Sequence, residues 1–133
     1  MNNKRDDNTM KWISLYKFGR DGQRLGRPLG LTIVLADGFF SRLRGLLGTK
    51  GLAASEGLLM TRCSRVHTIG MRYTLDLVFL DQSCQVVKCC ECVKPYRTAA
   101  ARGAYYTLEL SEGAIRRHDI SVGDRVSIFQ GAP

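Results

Sequence analysis

Short β-prone runs, each closed by turn residues, follow one another along most of this chain. The runs lie at 12–18, 31–36, 57–60, 75–80, 85–93, 104–110 and 125–130. Few of the intervals between them are long enough for the crossover that a parallel strand pair requires. Several short strands at such spacing favour an all-β sandwich or barrel. The sequence therefore predicts a mainly β fold, either an antiparallel sandwich or a partly closed barrel.

Two short helices are predicted beside these strands. Asp37 offers an N-cap oxygen, and the apolar residues after it recur at helical spacing, which predicts a helix over 37–47. Its apolar stripe is expected to pack across an open end or edge of the sheet. Ser111 is expected to cap a second helix that reaches about His118.

The length of the chain fits a single domain. Its 133 residues lie near the modal size of one domain. Residues 1–10 are polar and mixed in charge, so we expect a disordered tail there and a single β-rich domain over 11–133. The connection between the runs 75–80 and 85–93 is short, which predicts that they form a β-hairpin.

The N-terminal segment does not have the composition of an export signal. It mixes charges and lacks the apolar core of about 7–15 residues that a signal peptide contains. No apolar stretch of about 18 residues that could span a bilayer occurs in the sequence. The expected compartment is therefore the cytoplasm. The five cysteines form an odd set without a disulfide framework, and we expect reduced thiols.

Basic residues outnumber acidic ones, and the excess is uneven. Lys plus Arg number 20 and Asp plus Glu 12, which gives a net charge of +8. Residues 1–65 hold 12 basic and 5 acidic side chains, whereas residues 66–133 hold 8 and 7. The basic half could attract polyanions, with Arg42, Arg44 and Lys50 as the candidate anion-binding side chains. No dense basic run and no Walker or dinucleotide fingerprint is present, so nucleic acid is a possible partner but not the favoured one.

The segment from Cys63 to Met71 places a thiol, an imidazole and a thioether at intervals of four residues. This spacing keeps the side chains on one face of either a regular helix or a regular strand. Asp76 interrupts an apolar run, and a buried carboxylate there would need a partner. The candidate ligand-binding residues are Cys63, His67, Thr68, Met71, Arg72 and Asp76.

Besides a ligand or substrate pocket, three interpretations of this segment are open. In the first, Cys63 and Met71 fill the core while His67 holds a loop through hydrogen bonds. In the second, sulfur and imidazole bind Cu(I), or zinc if Asp76 joins them. In the third, Cys63 is a nucleophile, with His67 as base and Asp76 as its orienter; four residues along a strand span about 13 Å, however, which exceeds hydrogen-bond reach. The first is preferred, so no metal or cofactor is predicted and a non-enzymatic domain is favoured.

The remaining cysteines, at positions 84, 89, 90 and 92, are expected to pack against the fold. In a regular strand Cys90 and Cys92 share one face and Cys89 points to the other. No second cysteine pair lies at zinc-finger spacing. We therefore expect a packing role for them rather than a metal site.

An ordered series of motifs carries a family resemblance. The motifs are Arg42-Leu43-Arg44-Gly45-Leu46-Leu47-Gly48, Glu56-Gly57-Leu58-Leu59, His67-Thr68-Ile69-Gly70-Met71-Arg72, Leu75 to Asp81, Gly103-Ala104, Leu108-Glu109-Leu110 and Val122-Gly123-Asp124. Over roughly residues 30–128 the chain resembles the small prokaryotic family catalogued as domain of unknown function 192. The resemblance implies a compact, mainly β fold, and it implies no activity because the family is uncharacterised. Cys63 and Asp76 fall on motif positions.

The leading expectation is a small binding or accessory domain. It would recognise a small ligand or a protein partner through a pocket around the segment from Cys63 to Asp76. One alternative is a nucleic-acid-associated or regulatory module that uses the basic N-terminal half. The other is a thiol- or metal-dependent enzyme centred on Cys63 and His67. The sequence does not define the oligomeric state.

Overall fold

The fold is known from a computed structural model that describes residues 12–18, 27–36, 52–68 and 71–130. Ten strands and one short helix lie within these residues. The strands are β1 Trp12–Phe18, β2 Arg27–Pro28, β3 Thr32–Ala36, β4 Glu56–Thr61, β5 Arg65–His67, β6 Leu75–Leu80, β7 Val86–Val93, β8 Thr98–Ala100, β9 Tyr106–Ser111 and β10 Arg125–Gln130, and the helix is α1, Ala114–Arg117. The prediction of a mainly β fold is confirmed.

One large sheet contains most of the strands. Its order is β10-β1-β3-β4-β9-β6-β7, with β2 paired to β1, while β5 and β8 form a separate two-stranded sheet. The predicted hairpin is present as the antiparallel pair β6 and β7. β3 and β4 pair in parallel, in contrast to the antiparallel pairing predicted. A parallel pair needs a connection of a dozen residues or more, and the chain between positions 36 and 56 has that length.

The two ends of the large sheet meet at one point. Gln85, just before β7, forms an isolated antiparallel bridge with Arg125 at the start of β10. Beside this bridge the Val86 N–H donates to the Asp124 carbonyl at 2.8 Å. The sheet therefore curls into a partly closed arrangement, one of the two predicted forms, without becoming a closed barrel.

Apolar side chains fill both faces of the central strands. β6 is buried along its whole length, and its alternate residues belong to two clusters. The helix-side core consists of Leu29, Leu31, Ile33, Leu59, Val78, Leu80, Val86, Leu108, Leu110, Ala114, Ile115, Ile120 and Val126. The β5-side core consists of Val34, Leu58, Met60, Val66, Met71, Leu75, Leu77, Phe79 and Ala101. Since both faces are covered, β6 has the nearly continuous apolar sequence expected of a fully buried strand.

The helix α1 is shorter than predicted and is capped differently. It begins after Gly113, whose φ of 86° lies in the left-handed region that favours glycine, and no side chain caps it locally. Ser111 belongs to β9, because the antiparallel ladder with β6 continues through it. The Asp76 carboxylate instead accepts the Ile115 N–H at 2.9 Å. The predicted helix is present, whereas the predicted serine cap is wrong.

Strand β7 contains a bulge that rearranges the cysteines. Glu91 and Cys92 together lie opposite Asp76, and Cys92 has a φ of 54°. Cys89 packs against the helix-side core and Cys90 against the β5-side core, as alternation predicts. Cys92 is exposed. The expectation that Cys90 and Cys92 share a face is wrong, because a bulge breaks the two-residue period of the strand.

Several predicted features lie outside the described residues. They are the tail over 1–10, the helix over 37–47 and the anion-binding set Arg42, Arg44 and Lys50. Within the described part of the chain, no helix has the length and apolar character needed to cross a membrane.

Candidate functional site

Thr68 is the centre of the predicted site and is fully buried directly after β5. Its Oγ1 donates to the Lys94 carbonyl at 2.8 Å and accepts the Arg97 N–H at 2.7 Å. Its backbone N–H donates to the Arg97 carbonyl at 2.8 Å, and its own carbonyl accepts the Tyr96 N–H at 3.0 Å. One buried residue therefore fixes loop 94–97 against the end of β5.

His67 and Arg72 reach the surface beside this threonine, and both side chains are exposed. His67 is the last residue of β5. Arg72 follows Met71, whose N–H donates to the Thr68 carbonyl at 3.2 Å, and the Met71 side chain is buried in the β5-side core. The structure thus brings four of the predicted residues together, two at the surface and two beneath it.

Cys63 lies on the same side of the large sheet but is tied to its own loop. It is half-buried and packs against the β5-side core. Its thiol donates to the Arg65 carbonyl at 3.3 Å, and its N–H donates to the Tyr105 carbonyl at 2.9 Å. Across the ranges that the structure describes, no group of three His, Cys, Asp or Glu side chains is arranged to hold a metal ion.

Asp76 is separated from the other five predicted residues. It is fully buried and alternates with Leu77, so it faces the helix-side core together with Val78. Its two carboxylate oxygens accept the Ile115 N–H at 2.9 Å and the Cys92 N–H at 3.0 Å. These bonds connect β6 to α1 and β7. The expected convergence with the sulfur and imidazole groups is therefore not observed, because β6 places this carboxylate on the opposite face of the sheet.

A group of exposed basic side chains around Thr68 was missed by the sequence reasoning. The group, called here the basic surface, consists of Arg65, His67, Arg72, Lys94 and Arg97. No Asp or Glu occurs at positions 57–75 or 92–108. The charge count over residues 66–133 as a whole does not reveal these acid-free segments, since the acidic residues of that half all lie at 76–91 and 109–124. A count in shorter windows would have found it.

Glu109 is a second residue that the sequence reasoning passed over. It is almost completely buried in β9, between Leu58 of β4 and Leu77 of β6. Because it alternates with Leu108 and Leu110 of the helix-side core, it faces the β5-side core. A charged residue inside an apolar strand is the same signal that singled out Asp76, and it could have identified Glu109.

A shallow hollow of about 390 Å³ lies near the other end of the β5–β8 sheet. Its lining residues are Asp81, Gln82, Ser83, Gly103, Ala104 and Tyr105. The Tyr105 hydroxyl accepts a hydrogen bond from Arg62 Nε at 3.3 Å, and the Tyr105 carbonyl accepts one from Cys63 N–H. The hollow therefore adjoins the predicted segment without being formed by it.

Burial disfavours ionisation of two cysteines, Cys89 in β7 and Cys84 just before it. Partial burial, aided by the neighbouring Cys90 thiol, raises the pKa of Cys89 to about 11 from an ordinary value of 9.0. Burial likewise raises the pKa of Cys84. Since the thiolate is the reactive form, these thiols are poor nucleophiles near neutral pH. Their chemistry agrees with the packing role predicted for them.

Because the pKa of Cys89 is raised, we expect the protein to lose stability between pH 9 and pH 11. A folded-state pKa above the unfolded value stabilises the protein below pH 9, and this contribution disappears as the pH rises through the folded-state pKa. Melting temperatures measured across this range should therefore fall less for Cys89→Val than for the wild type. Cys90→Val keeps Cys89 and should retain most of the fall. Identical profiles for the wild type and Cys89→Val would contradict the assignment.

The curled large sheet, with the two-stranded β5–β8 sheet beside it, defines this chain as a small, mainly β domain. The family model DUF192, described as "Uncharacterized ACR", matches residues 23–128. The chain belongs to this family, and the resemblance drawn from the motifs is confirmed.

Two curated relatives are UPF0127 proteins of archaea. The one from Thermococcus sibiricus is 29% identical over 99 residues, which cover 71% of this chain and 64% of that protein. The one from Pyrococcus furiosus is 31% identical over 105 residues, which cover 76% and 90%. The chain thus spans less than two thirds of the length of the Thermococcus relative.

Two solved structures share the fold. A crystal structure of a candidate transcription regulator from Sinorhizobium meliloti has a TM-score of 0.73 and 23% identity, covering 90% of this chain and 95% of that one. A protein of unknown function from Novosphingobium aromaticivorans has a TM-score of 0.70 and 21% identity, covering 87% and 84%. At these identities the likeness concerns the fold alone.

Proposed function

We propose that this chain is a small binding domain that recognises a phosphate-bearing ligand at the basic surface. The observation that carries the proposal is the exposure of four cationic side chains and one imidazole around a single buried threonine, within two segments free of acidic residues. Guanidinium groups match the geometry of phosphate oxygens, and a surface rich in positive charge raises the local concentration of anions.

The packing around β5 supports this proposal. Val66 is buried between Arg65 and His67, so alternation places both of these side chains on the outer face of the strand. The hydrogen bonds of Thr68 hold the backbone of loop 94–97, and that of Met71 just before Arg72, against the end of this strand. These exposed groups would contact the ligand, while Thr68 and Met71 would position them from below.

The other candidate residues take supporting roles in this proposal. Cys63 shapes the loop that leads into β5, and Asp76 holds α1 and β7 from the opposite face of the sheet. A thiol enzyme centred on Cys63 and His67 would therefore need an orienting group other than Asp76. Anion binding by Arg42, Arg44 and Lys50 stays a prediction, because these residues lie outside the described ranges.

Inorganic tripolyphosphate is a suitable probe, with its affinity measured by calorimetry at low salt. Arg72→Gln and Arg97→Gln should each weaken binding by about tenfold, which corresponds to about 1.4 kcal/mol. Arg125→Gln is the matched control, because it removes the same charge from an exposed position on β10 and should leave the affinity unchanged. Equal weakening by all three variants, or no binding at low salt, would refute the proposal.

A further inference from the structure

Tyr96 presents its ring to solvent from a strained backbone. Among the side chains that the structure describes, it and Val122 are the large apolar ones that are exposed, and Tyr96 is 69% exposed. Its φ of 59° lies in the left-handed region, which a bulky residue rarely adopts and which persists only where the surroundings enforce it. Because the ring is mostly exposed, packing in the core does not explain why a tyrosine occupies this strained position.

The hydrogen bonds of Thr68 enforce this conformation. They bind the residues on both sides of Tyr96, through the Lys94 carbonyl and the Arg97 N–H and carbonyl, as well as the N–H of Tyr96 itself. Pro95 adds a fixed φ within the same loop. The ring is therefore held on an ordered support, which lowers the entropy lost when a partner packs against it.

Exposed cationic residues lie close to Tyr96 along the backbone. The Arg97 guanidinium returns to donate from Nη1 to the Tyr96 carbonyl at 3.3 Å. Lys94 lies two residues before Tyr96, and Arg72 follows Met71, whose N–H shares the Thr68 carbonyl with the Tyr96 N–H. An exposed aromatic ring with exposed cationic residues near it along the backbone matches two features of a nucleotide, its base and its phosphate. Inorganic phosphate would use the cations but would gain nothing from the ring.

We propose that Tyr96 is a stacking platform for a base of single-stranded nucleic acid, with the adjoining phosphates bound by Arg72, Lys94 and Arg97. This inference rests on the proposed function and adds the class of ligand. Stacking on aromatic side chains is the general means by which proteins bind single strands without reading sequence. In a duplex both faces of an internal base are already stacked, so an exposed ring favours unpaired strands.

The test compares a short oligothymidylate with an abasic strand of the same length, which keeps the phosphates and lacks the bases. The wild type should bind the oligothymidylate about tenfold more tightly than the abasic strand. Tyr96→Leu should remove this preference, and Tyr96→Phe, which keeps the ring, should retain it. Unchanged melting temperatures would show that both variants are folded, as expected for a side chain that is mostly exposed.

The outcomes separate this inference from the proposed function. Equal affinity of the wild type for the two strands would overturn the stacking platform, even if tripolyphosphate binding persists and remains sensitive to Arg72 and Arg97. Tyr96-dependent binding to anionic phospholipid vesicles without any preference for bases would overturn it as well. Failure of the tripolyphosphate measurement would instead remove the anion site on which the inference rests.

Discussion

Replacing Asp76 with alanine should lower the free energy of unfolding by about 3–5 kcal/mol. The substitution removes two hydrogen bonds to a charged group, from the buried Ile115 N–H and the partly buried Cys92 N–H, and each such bond contributes about 1.5–3 kcal/mol. Asp76→Asn should lose less, because its single carbonyl oxygen still accepts one of the two bonds. Urea unfolding followed by far-ultraviolet circular dichroism measures these differences.

Glu91→Gln is the matched control for this prediction. Glu91 is also a carboxylate of the β6–β7 region, and it pairs with Arg116 at 3.3 Å, but both side chains are substantially exposed. Exposed ion pairs contribute about 0–1 kcal/mol, so this variant should remain close to the wild type. If Asp76→Ala were as mild as Glu91→Gln, the carboxylate would not hold the three elements together.

The second large effect is expected at Gly57, where strand β4 packs most tightly. A Cβ built at this position would lie 2.5 Å from Ile33 Cδ1 and 2.8 Å from Leu110 Cδ2. Both side chains are fully buried, so neither can move away without displacing other atoms of the core. Gly57→Ala should therefore destabilise the protein by about 2–3 kcal/mol, as overpacking of a dense core does.

A second substitution tests the cause of that loss. Ile33→Val removes the Cδ1 atom that lies closest to the added methyl group, and by itself it should cost about 0.5–1.5 kcal/mol. In the double variant the two losses should be less than additive, because the smaller side chain makes room for the new Cβ. Strict additivity in urea unfolding would show that the clash with Ile33 is not the source of the destabilisation.

Local sequence signals predicted those parts of the fold that depend on neighbouring residues. The hairpin of β6 and β7 follows from a short connection between two β-prone runs. The parallel pairing of β3 with β4 depends on a long connection and on packing, which no local pattern records. β8 was not predicted because Thr98-Ala99-Ala100 has a weak intrinsic preference for strand, and its pairing with β5 decides its conformation.

The candidate site was predicted only in part, because local patterns do not record contacts between residues that are distant in sequence. Intervals of four residues keep side chains together only where the backbone stays regular, and β5 ends at His67. Asp76 belongs to a different strand, whose parity places its carboxylate on the other face of the sheet. The contacts of Thr68 with Lys94 and Arg97 span 26 and 29 residues of sequence. Their convergence depends on tertiary structure and has no signature in a local motif.

The inward and outward residues of the paired strands β5 and β8 have different roles. Inward residues such as Val66 cover the β5-side core, whereas Arg65, His67 and Thr98 are exposed on the outer side. Outward positions of this kind tolerate substitution within about 0.5 kcal/mol. Under the proposed function, related chains can therefore differ in the ligand that they bind by exchanging these outward side chains, with little loss of stability and no change of fold.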